Sequence, residues 1–177
     1  MHDRNGRLLA SMAKRPSWYL NAARRTLLTA IPQLAKPDDR YAAGHLSPAE
    51  FELFCRLGSA EREHAVAVAR KVQRLKPAVR SEVLRAALLH DVGKLGSSSN
   101  VVFRVVAHLL PNGALPPEPR LTGLAGTRQA AQHHADYGRG LILAAGGDPE
   151  VARLVSAHHD GGSDEEARLI RECDELT

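Results

Sequence analysis

The sequence predicts an all-α fold, and three observations support this prediction. Alanine, leucine, arginine and glutamate dominate a chain of 177 residues, aromatic residues make up only 4% of it, and apolar residues recur mainly at helical spacing. Good helix formers are therefore abundant, while the aromatic side chains that favour strands are scarce. A chain of this length supports one domain with a single hydrophobic core.

The N-terminal segment, residues 1–40, carries the positive charge of the chain. Seven Lys and Arg against one Asp give residues 1–36 a net charge of +6, whereas the whole chain has +4. Apolar residues at helical spacing between Ser17 and Leu34 predict a helix packed on the domain; the alternative is a basic amphipathic helix lying on a membrane or a nucleic acid. Because no apolar run could span a bilayer and no secretory signal is evident, we expect a cytoplasmic protein, with peripheral membrane contact through this segment as the alternative.

Helix-start signals open the rest of the chain. In "LSPAEFELF", Ser47 is the predicted N-cap, Pro48 takes the first helical position and Glu50 follows three residues after the cap, which is a capping box. A second helix is predicted over about residues 59–75, with Leu75 on its apolar face.

The third predicted helix begins at a cap, Ser81, and ends at His90 and Asp91 in "LRAALLHDVGK". Adjacent residues differ by about 100° around a helix, so His90 and Asp91 can face one site only near the helix end. We expect Gly93 to free the backbone at that point.

Residues 95–126 are predicted to be an apolar insert in a domain that spans residues 41–177. Within it, "VVFRVVAHLL" is nearly apolar all round and "PNGALPPEP" excludes regular structure. We expect the apolar part to cover the site as a lid or to pack in the core, with insertion into a membrane interface as the alternative.

Helical spacing returns from Thr127, and two further helices are predicted after it. The first begins at Asp148 with Pro149 at its first position, and the second begins at Ser163 or Asp164. The count is seven to nine helices, with no strand.

Nine histidines is a high count, and most of them fall late in apolar helices. Burying several imidazole rings costs free energy unless each ring is paired or ligated, so the pattern predicts a divalent metal site. His64 and His90 are 26 residues apart, and His134 and His158 are 24 apart, which are separations that a helical hairpin brings together. The histidines regarded as ordinary are His2, His45 and His108, with His133 as the spare member of its pair.

The order of these elements resembles the HD superfamily of metal-dependent phosphohydrolases. The matching elements are His64, "HDVGK" at 90–94, "HADYGRGL" from His134, "HHD" from His158, and Asp174. Residues 134–159 are most similar to the HD-GYP branch, but no Gly-Tyr-Pro motif follows, so cyclic di-GMP is not implied as the substrate. The resemblance covers residues 46–177 and implies an HD-domain-like helical core of about seven to nine helices around a metal site.

The resemblance also implies the ligands of two divalent ions, with Fe or Mn favoured and Zn, Ni or Mg as alternatives. The first ion would be held by His64, His90, Asp91 and Asp174, and the second by Asp91 as a bridge with His134 and His158. Lys94 would face the substrate phosphate, or would be an exposed lysine that caps a helix C-terminus. His159 would be a further ligand, a proton donor or a group that supports a ligand. The implied catalytic residues are Asp91, Lys94 and His159.

The implied activity is hydrolysis of a phosphate monoester or diester, nucleotide-derived, by a metal-activated bridging hydroxide. One alternative is a metal-holding signalling or scaffold domain without turnover, but every expected ligand position is filled. The other is a di-iron oxygenase, but Lys94 and the arginines favour an anionic phosphate. The expected partner is a phosphorylated small molecule, and no sequence-specific nucleic acid is expected.

Overall fold

A computed structural model gives the arrangement of the helices and describes residues 34–97, 103, 106, 113–159 and 163–177. Within those residues it has seven α-helices and no strand, which confirms the predicted all-α fold. The helices are α1 (Asp39–Ala43), α2 (Pro48–Cys55), α3 (Ser59–Leu75), α4 (Ser81–Leu89), α5 (Gly123–Ala144), α6 (Pro149–Ala157) and α7 (Glu165–Glu175). A 3₁₀ turn, Val92–Lys94, follows α4.

Three of the helices begin at predicted caps. At α2 the Ser47 hydroxyl accepts from the backbone N–H of Glu50, whose carboxylate accepts from the backbone N–H of Ser47, and Pro48 takes the first helical position. At α6 the Asp148 side chain accepts from the backbone N–H of Glu150, and at α7 Asp164, not Ser163, is the cap and accepts from Glu166 and Ala167. Each cap satisfies backbone donors that have no partner within the helix.

The start of α4 differs from the prediction, because Arg80 and not Ser81 is the N-cap residue. Arg80 makes no side-chain cap hydrogen bond, and a guanidinium has no acceptor to offer the free N–H groups. It instead donates to Glu150 and Glu166, and so ties the start of α4 to α6 and α7.

The hydrophobic core lies where α3, α4 and α6 meet, with α7 packed across α3 and α4 and with α5 against α6 and the 3₁₀ turn. Val68, Leu88 and Leu154 are fully buried there, and burial of each such side chain contributes about 1.5–3 kcal/mol to the stability of the fold. The predicted place of Leu75 on the buried face is wrong: it is the last residue of α3 and is 61% exposed. The buried stripe of α3 ends at Val72.

Residues 113–121 run beside α5 without regular structure, as the prolines predicted. Gln129 on α5 is 1% exposed and makes three hydrogen bonds to this segment. Its amide nitrogen donates to the carbonyls of Pro116 and Pro119 at 2.7 and 2.9 Å, and its oxygen accepts from the N–H of Leu121 at 2.9 Å. One buried amide therefore holds the segment against the helix.

Two further observations concern the same region: where α5 begins, and how His133 contacts residues 113–121. Helix α5 begins at Gly123, before the predicted start at Thr127, so the last residues of the proposed insert are helical. His133, predicted to be a spare, has its Nε2 2.7 Å from the carbonyl oxygen of Leu115, to which it donates.

Two predictions fall outside the described residues. They are the N-terminal helix that was expected between Ser17 and Leu34, and "VVFRVVAHLL", of which only residues 103 and 106 are described. The division into residues 1–40 and 41–177 stays a prediction. In the part of the chain that the structure describes, no helix combines the length and the hydropathy needed to cross a membrane.

Candidate metal centre

Three buried histidines share one arrangement at the middle of the domain. In each, Nδ1 lies against a backbone carbonyl oxygen three or four residues earlier in the chain. The pairs are His90 with Ala87 (2.8 Å), His134 with Ala130 (3.1 Å) and His158 with Val155 (2.5 Å). A carbonyl can only accept, so Nδ1 carries a proton, and in the neutral ring Nε2 keeps its lone pair. Metal-binding histidines usually donate their other ring N–H to a carbonyl or carboxylate in this way, and this hydrogen bond fixes the orientation of the ring.

The first group of candidate ligands joins α3, the end of α4 and α7. One ligand atom from each of His64, His90 and Asp174 lies within 4.8 Å of the other two. Asp174 Oδ1 is 2.8 Å from His64 Nε2 and 3.7 Å from His90 Nε2. The hairpin of α3 and α4 thus brings together histidines 26 residues apart, as the spacing predicted.

The second group joins α5 to the end of α6. One ligand atom from each of His134, His158 and His159 lies within 4.8 Å of the other two. His159 Nε2 is 2.8 Å from His134 Nε2. The structure therefore places His159, for which the sequence left three roles open, among the donors of this group.

Asp91 lies between the two groups. Its Oδ1 is 3.6 Å from His90 Nε2 and 3.6 Å from His134 Nε2, so one oxygen lies next to a member of each group. The other oxygen, Oδ2, accepts from Lys94 Nζ at 2.7 Å. The sequence did not predict this ion pair, which holds the carboxylate with Oδ1 between the groups.

Burial and neighbouring charge set the protonation states that a metal requires. Burial is the main reason that the pKa falls to about 4 for His134 and to about 3 for His158, so both rings are neutral at pH 7. Burial opposes ionisation of Asp91, but Lys94 and the nearby imidazoles outweigh it and hold the Asp91 pKa well below its usual range. The pKa of Asp174 is also lowered, by His64 and His90, against the effect of burial.

His90 differs from the other two buried histidines in its pKa. Its complete burial acts to lower the pKa, but the carboxylates of Asp91 and Asp174 more than offset this and raise it. A cation placed among the same groups would take over the favourable interaction with both carboxylates, and metal binding would then compete with a proton.

Three buried polar atoms of the cluster have no hydrogen-bond partner: Asp91 Oδ1, His90 Nε2 and His158 Nε2. Each such atom costs about 1–3 kcal/mol when it is left unsatisfied. Divalent cations in the two ligand groups would satisfy all three atoms, and imidazole with carboxylate suits Fe, Mn, Zn or Ni. The residues present therefore fit a metal centre.

All eight residues predicted for the site lie in one region of the fold. Residues from five segments meet there, namely α3, the turn after α4, α5, the end of α6 and α7. Among the described residues, no further His, Cys, Asp or Glu enters either ligand group. The residues are His64, His90, Asp91, Lys94, His134, His158, His159 and Asp174.

Gly93 has a different role from the one predicted. It is not among the positive-φ glycines, so backbone freedom does not explain it. The 3₁₀ turn instead lies directly against α5: a Cβ on Gly93 would be 1.8 Å from the carbonyl oxygen of His134 and 2.6 Å from the nitrogen of Gly138. Glycine is required because no side-chain atom fits between these two backbones.

Gly93→Ala is expected to destabilise the domain by about 3 kcal/mol or more, because backbone atoms cannot move aside as a flexible side chain can. The turn would move away from α5, and Asp91 from His134, so metal bound per chain should fall as well. Urea unfolding and elemental analysis would measure the two effects. The control is Gly140→Ala on α5, where a Cβ would meet nothing within 4 Å and where alanine should stabilise by up to about 1 kcal/mol. Equal stability of the two variants would contradict the packing explanation.

The fold and the site define a class: an all-helical domain in which histidines and aspartates from separate helices converge on one metal-binding cluster. A family model for the HD domain matches residues 62–177, which include every candidate ligand, and the chain belongs to this family. No match was found among curated proteins or among solved structures.

Proposed function

We propose that this protein is a metal-dependent phosphohydrolase that acts on a phosphate monoester or diester. Membership of the HD domain family supports this activity. The observation that carries the proposal is the position of Asp91 Oδ1, 3.6 Å from a histidine nitrogen of each ligand group. A carboxylate oxygen shared between two sets of donors suits a bridging ligand.

Each group of candidate ligands would bind one metal ion. His64, His90 and Asp174 would hold one divalent ion, His134, His158 and His159 would hold the other, and Asp91 would be the ligand shared between them. With Fe or Mn favoured, such ions would acidify a shared water and neutralise charge on the phosphoryl oxygens. The neutral imidazoles of His134 and His158 offer lone pairs without a proton having to leave.

Lys94 has two tasks in this proposal. Its Nζ donates to Asp91 Oδ2 and so fixes the carboxylate, and its side chain is 33% exposed. An ammonium has three N–H donors, and the bond to Asp91 uses one of them. The others would face a phosphoryl oxygen of the substrate, as the resemblance implies for Lys94.

Two arginines next to the centre support an anionic substrate. Arg120 donates to the carbonyl of Leu95, the residue after Lys94, at 3.1 Å. Arg171 donates to the carbonyl of His159 at 3.4 Å and also pairs with Glu175 at 2.9 Å. Guanidinium groups at these two positions would attract and orient phosphate groups that approach the ligands.

An aromatic surface beside these cations supports a nucleotide-derived substrate. The Arg120 guanidinium lies 3.7 Å from the centroid of the Tyr137 ring, and the Tyr137 and His133 rings are 6.0 Å apart. Planar groups of this kind stack with nucleobases, as aromatic and guanidinium surfaces do in nucleic-acid-binding proteins.

The test is phosphate release from p-nitrophenyl phosphate, its bis-ester and a set of nucleotides by protein loaded with Mn or Fe. We expect turnover that a chelating resin removes and added metal restores. Lys94→Gln should lower kcat/KM by about 10- to 100-fold, since residues that hold a metal ligand typically have effects of this size. Lys76→Gln, an exposed change at the end of α3, should leave kcat/KM unchanged.

Two results would reject the proposal. Full metal loading without turnover of any ester would favour the metal-holding scaffold. Oxygen uptake by the iron-loaded protein, without phosphate release, would favour the di-iron oxygenase. Contact with a membrane through the basic N-terminal segment stays a prediction.

A further inference from the structure

A second polar site lies outside the metal centre, in a cleft between α3, the end of α7 and the segment before α1. Its volume is about 490 Å³, which is within the range of small-molecule sites. The apolar part of its wall includes Val66 and Leu176. Its charged lining consists of four cations and two carboxylates, namely Lys36, Arg70, Lys71, Arg74, Asp38 and Glu63.

Both carboxylates already bind donors of the protein. Asp38 Oδ2 pairs with Arg70, and Asp38 Oδ1 accepts from the backbone N–H of Tyr41 at 3.0 Å. Glu63 Oε2 accepts from the backbone N–H of Lys36 at 2.6 Å. Both carboxylates of the cleft are therefore already hydrogen-bonded within the protein, and Asp38 neutralises the charge of Arg70.

The other three cations are not neutralised in this way. Among the described residues, the structure gives neither the Lys36 ammonium nor the Arg74 guanidinium an ion-pair partner. Lys71 Nζ donates to the carbonyl of Leu176 at 2.6 Å and keeps two further N–H donors. Burial first, and also the like charge of Arg74, lower the pKa of Lys71, so these two cations of the cleft repel each other.

We propose that this cleft binds a phosphate-bearing small anion through Lys36, Lys71 and Arg74. Clustered ammonium and guanidinium groups in a concave site are the usual means of holding phosphoryl oxygens. A bound phosphate would also remove the repulsion between the cations. The apolar wall at Val66 and Leu176 would take the uncharged part of the ligand.

The position of the cleft links it to the first ligand group of the metal centre. Lys71 lies two turns after His64 on the same face of α3, and it holds the carbonyl of Leu176, two residues after Asp174. An anion in the cleft would contact both helices that supply these two ligands. Any change in metal affinity that the anion causes must be matched by an equal effect of the metal on anion affinity.

Titration of inorganic pyrophosphate into the full chain, stripped of metal by a chelating resin, tests the site by calorimetry. We expect binding that weakens with added salt. Lys36→Glu with Arg74→Glu should lower the affinity by roughly tenfold or more, since two attractive charges become repulsive. The control, Arg56→Glu with Arg168→Glu, changes the net charge equally at exposed residues outside the cleft and should leave the affinity within about twofold of wild type.

A parallel flotation experiment with phosphatidylglycerol vesicles identifies the source of the phosphate. Cleft-dependent binding of pyrophosphate supports a free small molecule, and cleft-dependent binding of vesicles alone supports a lipid headgroup. Equal behaviour of the two double variants in both assays, or no binding by the folded wild type in either, would overturn the proposal. Because neither assay involves metal or turnover, such a failure leaves the proposed hydrolysis standing, and loss of hydrolysis would leave this site standing.

Discussion

Asp91→Asn is expected to remove most of the bound metal and nearly all of the proposed hydrolysis while the helices stay in place. The substitution keeps the size of the side chain but removes the negative charge that lies between His90 and His134. Residues that merely support a metal ligand typically contribute 10- to 100-fold to affinity or activity. We therefore expect the loss of activity to exceed about 100-fold. Metal atoms per chain and phosphate release measure the two effects.

Thermal unfolding gives a readout of this prediction that needs no activity. Metal that binds only the folded state at 100 times its Kd stabilises by about 2.7 kcal/mol, which is roughly 5–10 °C for a chain of this size. Wild type should show this shift when Mn is added, and Asp91→Asn should show little of it. The metal-free proteins should both unfold cooperatively.

The matched control is Asp136→Asn on α5, where the carboxylate is exposed and accepts from Ser156 at 2.8 Å, two residues from His134. It should bind metal as wild type does. Retention of wild-type metal content by Asp91→Asn would show that Asp91 does not join the two groups, and the centre would then need another explanation.

The candidate ligands came from the resemblance to the HD superfamily, and local rules independently located those at two of the helix ends. His90 and Asp91 follow the last turn of α4, and His158 and His159 follow the last turn of α6. Helical periodicity and start signals locate such positions without knowledge of the partner helices. The order of the elements along the chain then indicated which helix ends belong together.

Contacts between distant segments could not be predicted in this way. The need for glycine at Gly93 comes from the backbone of His134, 41 residues later, and not from the local backbone conformation. Nothing in the sequence indicated a role for Gln129, yet it is buried and holds residues 113–121. Periodicity shows that a face is polar, but it does not show which polar group the fold will enclose.

Glu50 has a structural role that the sequence did not reveal, because it forms a buried ion pair. Its replacement by Gln is expected to destabilise the domain by about 3 kcal/mol. The sequence identified Glu50 only as the third member of a capping box. In the structure it is fully buried, and its two oxygens accept from Arg85 at 2.7 and 2.9 Å. Gln keeps the shape but leaves Arg85, whose side chain is 16% exposed, without its nearest charge partner.

Urea unfolding of wild type and Glu50→Gln at pH 7 measures this loss, with Glu166→Gln as the matched control. Glu166 also pairs with an arginine, Arg80, but the Arg80 side chain is 50% exposed, so this control should cost no more than about 1 kcal/mol. The free energy of unfolding of a domain of this size is roughly 5–15 kcal/mol, so losses of about 3 and about 1 kcal/mol are easily distinguished. Equal losses would show that burial adds nothing to the Glu50–Arg85 pair.

The pH dependence follows from the direction of the Glu50 pKa. Burial alone would raise it, but Arg85 and the backbone N–H of Ser47 outweigh burial and lower it from its ordinary value of 4.5. A carboxyl with a lowered folded-state pKa stabilises the fold above its unfolded pKa and loses that contribution as pH falls through the folded pKa. The difference between wild type and Glu50→Gln should therefore be full at pH 7 and should shrink below about pH 4.

The same ion pair links the two helices whose last turns precede candidate metal ligands. Arg85 lies in α4 five residues before His90, and it also pairs with Asp148, the cap of α6, at 3.1 Å. Through Arg85, Glu50 thus joins the middle of α4 to the start of α6, the two helices whose last turns precede His90 and His158. We expect Glu50→Gln to bind less metal per chain only to the extent that less of it is folded, and addition of Mn to recover part of the lost stability. A folded Glu50→Gln protein with an empty centre would show that the pair positions the ligands directly.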